Sequence, residues 1–104
     1  IANPNNPSGL YVSKNTFESF ISEIPKDVVI VIDEAYFEYV VKDDYPNSIC
    51  YAMSRPRTIV IRTFSKIYGL AGLRLGYAVG DEEVISILCR VRDPFNVNSV
   101  VQHA

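Results

Sequence analysis

The chain has one histidine and two cysteines among its 104 residues, and this scarcity argues against several kinds of site. A lone His103 supplies neither a multi-histidine metal site nor a histidine-based catalytic triad. Cys50 and Cys89 lack metal-ligand spacing and give no disulfide framework, which favours a reducing compartment. We therefore expect no metal site.

Long apolar runs and strong net charge are also missing. No stretch reaches the ~18 apolar residues of a membrane span, and no signal-peptide pattern opens the chain. The net charge of −2 provides no basic surface for nucleic acid. We expect a soluble, cytoplasmic globular protein that binds neither membrane nor nucleic acid.

Acidic residues are absent from positions 45–80, although this window contains five cations: Arg55, Arg57, Arg62, Lys66 and Arg74. Solvation is expected for Arg55 and Arg57. Lys66 and Arg74 stand among leucines and isoleucines that favour burial, and a buried cation needs a partner. A phosphate-bearing ligand would supply one, with the hydroxyls of Thr63 and Ser65 as further donors.

Two apolar runs predict strands that end at chemically useful residues. Residues 28–32 are all β-branched and are followed by Asp33, which is typical of a parallel strand buried on both faces. Residues 58–63 form a similar run just before Lys66. Since ligands of open α/β sheets bind beyond the carboxyl ends of the strands, Asp33, Lys66 and Arg74 should meet at one edge.

The remaining pattern predicts helices on both faces of a mixed, mostly parallel sheet. One helix should span residues 13–24, capped by Ser13, with Phe17, Phe20, Ile21 and Ile24 buried. A short helix is expected at 47–55, and another at 81–92, capped by Asp81, with Val84, Ile85, Leu88 and Val91 buried. A strand at 75–79 should run antiparallel to its predecessor, because about a dozen residues are too few for a parallel crossover.

The first and last residues indicate a piece of a longer protein. The chain opens on Ile1 and stops in what resembles the first turn of a helix, for which Asn98 is a candidate cap. Residues 1–104 are expected to be a fragment of one domain, with no complete second domain.

Several motifs, in order and spacing, resemble the fold-type I pyridoxal-phosphate aminotransferases over nearly the whole chain. They are residues 3–9 (NPNNPSG), residues 33–36 (DEAY), Ser65-Lys66 and Arg74. The resemblance implies an α/β fragment of the large, cofactor-binding domain. Residues 33–38, 62–77 and 94–98 are similar in particular to the histidinol-phosphate aminotransferase subfamily, although threonine-phosphate decarboxylases and other aminotransferases share much of the pattern.

The resemblance implies a role for each matching residue. Lys66 would bind pyridoxal 5'-phosphate covalently and move a proton at the substrate. Asp33 would pair with the pyridine nitrogen of the cofactor, and Asn6 and Tyr36 would hydrogen-bond its 3-hydroxyl oxygen. The Asn6–Pro7 peptide bond would be cis.

The same resemblance assigns the cofactor phosphate to Thr63, Ser65 and Arg74, and arginine suits that role because its planar fork donates two parallel bonds. It also implies an amino donor and a 2-oxo acid as substrates, and a homodimer for the intact enzyme. The isolated piece would be inactive, because the residues that stack on the ring and bind the substrate carboxylate lie outside it.

Other interpretations of these residues remain open. Thr63 and Ser65 could cap a local turn, and Tyr36 could be a core aromatic residue. Glu34 and Glu38 are expected on a solvated face without a role. Residues 28–34 also fit the Walker B strand of a nucleoside-triphosphatase, but the chain has no phosphate-binding loop of the Gly-x-x-x-x-Gly-Lys-Ser/Thr type.

Overall fold

A computed structural model describes residues 1–103 of the chain. In chain order the elements are α1 (Lys14–Glu23), β1 (Ile30–Asp33), a 3₁₀ turn (Phe37–Tyr39), α2 (Ser48–Ser54), β2 (Thr58–Thr63), a second 3₁₀ turn (Ala71–Leu73), β3 (Gly76–Gly80), α3 (Glu82–Val91) and α4 (Ser99–His103). Within this part of the chain, no helix is both long and apolar enough to cross a membrane.

The three strands form one mixed sheet in the order β1-β2-β3. β1 and β2 are parallel, with Ile30 opposite Thr58 and Asp33 opposite Ile61. β3 is antiparallel to β2, as predicted from the short connection, and Thr63 lies opposite Gly76. A parallel bridge from Ala2 to Asp33 extends the sheet beyond β1. The predicted mixed α/β sheet is therefore confirmed.

The hydrophobic core lies between one face of the sheet and the helices α1 and α2. Its fully buried members are Phe17 from α1, Ala52 from α2, and Ile30, Ile32 and Val60 from the strands. Ile21 and Ile24 pack against this cluster as predicted, because they recur on one side of α1. Phe20 was predicted to be buried but is 39% exposed, because it lies at the edge of that apolar stripe.

The opposite face of the sheet is only partly covered, which contradicts the predicted burial of β1 on both faces. Val31 points away from the core and is 41% exposed. Coverage begins where β3 ends, beside the start of β2. A Cβ atom on Gly80 would lie 2.8 Å from the Val84 side chain of α3. Gly80 is opposite the buried Ile59, so α3 lies on this second face. Leu88 and Val91 of its predicted stripe are exposed, because only the first turns of α3 contact the sheet.

Local capping positions match the sequence. The Asp81 carboxylate accepts the Val84 amide at 2.9 Å and so caps α3. Asn98 accepts the Val101 amide at 3.1 Å at the start of α4. Ser13 is the N-cap residue of α1, but its hydroxyl contacts the Thr16 hydroxyl rather than a helix amide.

Arg55 was predicted to be solvated, and this prediction is wrong. Its guanidinium donates to the Ile24 and Pro25 carbonyls at 3.2 and 2.7 Å, where α1 ends, and to the Thr58 hydroxyl at 3.2 Å. Unsatisfied carbonyls at a helix end attract a cation, and the α2–β2 turn places Arg55 beside them. Arg57 is exposed, as expected.

Candidate functional site

Three segments meet at the edge of the sheet where β1 and β2 end. Because these strands are parallel, Asp33 at the end of β1 and Thr63 at the end of β2 are on the same side. Lys66 follows Thr63 by three residues. Arg74 comes two residues before β3, whose first residue, Gly76, pairs with Thr63. Asp33, Lys66 and Arg74 therefore lie at one edge.

Asn6, Tyr36 and Lys66 form one cluster at this edge. The Asn6 side-chain amide donates to the Tyr36 hydroxyl at 3.0 Å. The Lys66 amine lies 5.2 Å from the centre of the Tyr36 ring, within the range of a cation–π contact. The predicted cis peptide bond at Asn6–Pro7 is confirmed, and Asn3–Pro4 is also cis.

Asp33 is half-buried, and its backbone is held by the segment from Ile1 to Asn3. Its amide donates to the Ile1 carbonyl at 2.7 Å, and its carbonyl accepts the Asn3 amide at 2.9 Å. Its Oδ1 accepts the Ala35 amide at 3.0 Å. Within residues 1–103, Oδ2 has no hydrogen-bond partner. One carboxylate oxygen therefore remains available to a ligand that carries an N–H.

The hydroxyl of Thr63 is engaged in a local turn. It accepts the Ser65 amide at 3.0 Å and donates to the Leu75 carbonyl at 3.3 Å. Arg74 has a left-handed backbone, with φ of 55°, and donates one bond to the Ala71 carbonyl at 3.0 Å. The rest of its guanidinium can serve an anion, because the side chain is exposed.

A cavity of 520 Å³ opens beside the cluster. Asn6 and Tyr36 line it together with Tyr39 and Lys42, which the sequence analysis did not single out. Tyr39 lies one 3₁₀ turn after Tyr36, with the two ring centres 6.1 Å apart. The full lining is Pro4, Asn5, Asn6, Pro7, Gly9, Tyr11, Tyr36, Tyr39, Val40, Val41 and Lys42.

Lys66 and Arg74 were expected in a buried setting, but both are exposed. Their apolar neighbours Ile67 and Leu70 are 45% and 41% exposed. The connection from β2 to β3 consists of turns that cross the sheet edge, and within the described residues no layer covers it. Solvent therefore reaches both cations here.

The expectation of a solvated Glu34 is wrong. Glu34 is fully buried, and its Oε2 contacts Nη2 and Nε of Arg62 at 2.7 and 2.8 Å. Glu34 therefore pairs with Arg62, one of the five cations in the window 45–80 that contains no acidic residue. The Tyr45 hydroxyl lies 3.1 Å from Oε1, and burial together with the negative charge of Glu34 raises the pKa of Tyr45.

Glu38 is also not on a freely solvated face. One of its carboxylate oxygens is buried and has no hydrogen-bond partner within the described residues. The 3₁₀ turn at Phe37–Tyr39 carries this side chain inward, and helical or strand periodicity does not reveal such a turn.

Comparison with known proteins gives a match over the whole chain. The profile of the family described as Aminotransferase class I and II matches residues 1–104. The chain is 51% identical over 104 residues to histidinol-phosphate aminotransferase of Brevibacillus brevis and 52% identical over 104 residues to histidinol-phosphate aminotransferase 1 of Cupriavidus pinatubonensis. Each alignment covers 100% of this chain but only 29% and 28% of those relatives.

Solved structures show the same fold. The structure of histidinol-phosphate aminotransferase from Sinorhizobium meliloti in complex with pyridoxal-5'-phosphate superposes with a TM-score of 0.84 at 35% identity, covering 93% of this chain and 26% of that one. L-threonine-O-3-phosphate decarboxylase from Porphyromonas gingivalis gives a TM-score of 0.83 at 24% identity, covering 97% and 30%. The second match is evidence for the fold alone.

Proposed function

Because the chain belongs to the aminotransferase class I and II family, we propose that it is part of the large domain of a pyridoxal-phosphate-dependent histidinol-phosphate aminotransferase. The geometric observation behind the proposal is the cluster in which the Lys66 amine faces the Tyr36 ring and Asn6 bonds the Tyr36 hydroxyl. The proposed amino donor is histidinol phosphate, the acceptor is 2-oxoglutarate, and the pathway is histidine biosynthesis. The Walker B interpretation is set aside, since the family profile covers the whole chain.

The substrate assignment follows from sequence identity. Several bacterial histidinol-phosphate aminotransferases, including the two named above, are 48–52% identical to this chain over nearly all of its length. Threonine-phosphate decarboxylases share much of the motif pattern described above, so decarboxylation of a phosphorylated amino acid is the second candidate. The two are distinguished by whether product formation consumes 2-oxoglutarate or releases carbon dioxide.

The residues at the sheet edge fit pyridoxal 5'-phosphate. Asp33 has a carboxylate oxygen without a partner among the described residues, which can accept a hydrogen bond from the protonated ring nitrogen. The Ser65 hydroxyl and the remaining N–H groups of Arg74 are suited to a phosphate, and Thr63 would exchange its Leu75 acceptor for it. When bound, the cofactor supplies an electron-withdrawing ring that stabilises the charge left by removing a substrate proton.

The chain's own residues have distinct tasks in this proposal. Lys66 holds the cofactor through its amine and, when displaced by the substrate amine, transfers a proton at the substrate α-carbon. Asp33 keeps the ring nitrogen protonated. Tyr36, held by Asn6, directs its hydroxyl to the ring oxygen, and Arg74 anchors the phosphate.

The remainder of the site belongs to residues outside this chain. The chain spans 28–29% of the length of the relatives described above, so most of each relative has no counterpart here. The intact enzyme is proposed to be a cytoplasmic homodimer, in which other segments and the partner subunit complete the substrate pocket.

Substitution of Lys66 tests the function. In a full-length enzyme that contains this chain, Lys66→Ala should lower kcat by at least about 10³-fold, because the nucleophilic amine and the proton carrier are lost together. Lys66→Arg should fail equally, since a guanidinium stays protonated. Lys14→Ala, an exposed lysine on α1, is the control and should keep normal turnover of histidinol phosphate with 2-oxoglutarate.

Borohydride trapping gives an independent result. Reduction followed by peptide mapping should place the pyridoxyl group on Lys66. Normal turnover by Lys66→Ala, or a pyridoxyl group on Lys14, Lys26 or Lys42, would contradict the proposal.

A further inference from the structure

A buried polar network lies behind the candidate site and joins the loop before Asn6 to the ends of β1 and β2. Its members are Asn3, Glu34, Tyr45 and Arg62. Asn3 precedes the cluster residue Asn6 by three positions, Glu34 directly follows Asp33, and Arg62 directly precedes Thr63. Asn3 and Glu34 are fully buried. The network therefore has one member close in sequence to Asn6, one to Asp33 and one to Thr63.

The contacts join these members into one unit. Glu34 bonds Arg62 through Oε2 at 2.7 and 2.8 Å. The Tyr45 hydroxyl stands between Oε1 of Glu34, at 3.1 Å, and the carbonyl oxygen of Asn3, so that its single proton serves two acceptors. The Arg62 guanidinium also lies 3.7 Å from the centre of the Phe37 ring. The carboxylate of Glu34 thus accepts hydrogen bonds from Arg62 on β2 and from Tyr45 in the loop before α2.

The network and the candidate ligand groups occupy opposite faces of the sheet. Side chains alternate along a strand, so Arg62 shares the core face with Val60, and Thr63 points to the other face. Asp33 is opposite Ile61 in the parallel register and shares the face of Thr63. The network contacts neither side chain, but its Glu34–Arg62 bonds join the two strand ends that carry them.

We propose that Glu34 is a positioning residue for the cofactor site. Its bonds to Arg62 and Tyr45 hold the ends of β1 and β2 and the Asn3 loop at the spacing that Asp33, Thr63 and Asn6 require. The role in cofactor binding rests on the proposed function. The positioning of the strand ends can be measured in the protein without cofactor, whether or not the proposed function is right.

Two backbone amides report the positioning directly in the protein without cofactor. The Ala35 amide donates to Asp33 Oδ1, and the Ser65 amide donates to the Thr63 hydroxyl, both at 3.0 Å. If the strand ends shift, these turns open and the amides exchange with solvent faster. Hydrogen–deuterium exchange of residues 35 and 65 is therefore the first readout.

The variants are made in the full-length protein. Glu34→Gln removes the charge at nearly constant volume, and Tyr45→Phe removes one hydroxyl while leaving the Glu34–Arg62 pair intact. Tyr51→Phe is the matched control, because its hydroxyl also bonds a glutamate, Glu18 at 2.6 Å, but between α2 and α1 and away from the site. Exchange at Ala35 and Ser65 should rise at least about tenfold in the first two variants, the size expected for losing a hydrogen bond to a charged group. It should not change in the control.

Cofactor affinity is the second readout. Titration with pyridoxal 5'-phosphate, at a temperature where circular dichroism shows each variant folded, should give a Kd raised at least about tenfold in Glu34→Gln and about threefold or more in Tyr45→Phe. The Tyr51→Phe Kd should stay within about twofold, even if its Tm falls.

The outcomes separate the alternatives. A lower Tm with unchanged exchange and Kd in both network variants would make the network purely stabilising and overturn the proposal. If Glu34→Gln does not fold, Tyr45→Phe decides alone. If wild type binds no pyridoxal 5'-phosphate, the proposed function fails, whereas the exchange comparison still confirms or refutes the positioning role.

Discussion

At the scale of single residues, the carboxylate of Asp81 joins two elements. One oxygen caps α3 at the Val84 amide, and the other accepts the Arg57 amide at 3.0 Å, just before β2. These bonds, that to Val84 above all, lower the pKa of Asp81. A carboxyl group whose pKa is lower in the folded than in the unfolded state contributes its full stabilisation above the unfolded-state pKa. That contribution is lost as the pH falls through the folded-state pKa.

Asp81→Ala should therefore lower the Tm of the full-length protein at neutral pH, and its difference from wild type should shrink as the pH falls below about 4. Thermal unfolding followed by circular dichroism between neutral and acidic pH measures this. Asp43→Ala is the control, because Asp43 is exposed and makes no hydrogen bond among the described residues. A Tm difference that persists undiminished in acid would show that the charge of Asp81 is not involved.

Residues whose partners are close in sequence could be predicted, and those with distant partners could not. Asp81 and Asn98 bond amides three positions away, so a capping pattern identifies them. Glu34 and Arg62 are 28 positions apart, and only the parallel register of β1 and β2 brings them together. The placement of Lys66 and Asp33 at one edge was predictable for another reason, because the carboxyl ends of parallel strands in an α/β sheet share one edge.

At the scale of elements, Gly80 lets β3 approach α3 closely. An added Cβ would lie 2.8 Å from Cγ1 of Val84 and 3.0 Å from the Thr58 carbonyl oxygen, and neither neighbour is a flexible chain end. Gly80→Ala should lower the free energy of unfolding by about 1–3 kcal/mol through overpacking. Urea denaturation measures the change.

Gly72→Ala provides the control for this substitution. A Cβ at Gly72 would meet no atom within 4 Å, and its backbone is not left-handed. Its effect should stay within about 0.5 kcal/mol. Equal effects of the two changes would mean that α3 does not pack against β3 in this way.

The directions of the strands followed from the sequence, but the burial of their faces did not. The short β2–β3 connection limits the geometry to an antiparallel pair, whatever else surrounds it. Burial of Val31 instead depends on which element lies over it, and the unbroken apolar run in β1 does not say whether residues 1–103 supply that element. The same holds for Ile67 and Leu70 beside Lys66.

At the scale of the whole molecule, the chain is extended for its size. Its radius of gyration is 14.8 Å, whereas a compact domain of this length would have about 13 Å. Apolar side chains on the open sheet face and at the site edge are exposed, among them Val29 at 56%, Val31 at 41% and Tyr68 at 53%. Soluble monomers seldom leave large contiguous apolar patches uncovered, so these surfaces fit contact with further protein.

The 104-residue chain prepared alone should therefore bind a hydrophobic dye and associate as its concentration rises across the micromolar range, because its apolar surface stays uncovered. It should show no transamination even with Lys66 present. Sedimentation velocity, dye fluorescence and turnover measure this against the full-length protein.

The double substitution Val29→Thr/Val31→Thr should weaken dye binding and association, since it makes the open face of the sheet more polar while keeping β-branched residues. Val100→Thr, at an exposed position on α4 outside the sheet and the cavity, should change neither. A monomeric chain that excludes the dye would show that the open face needs no cover, and turnover equal to that of the full-length enzyme would place the whole active site within these residues.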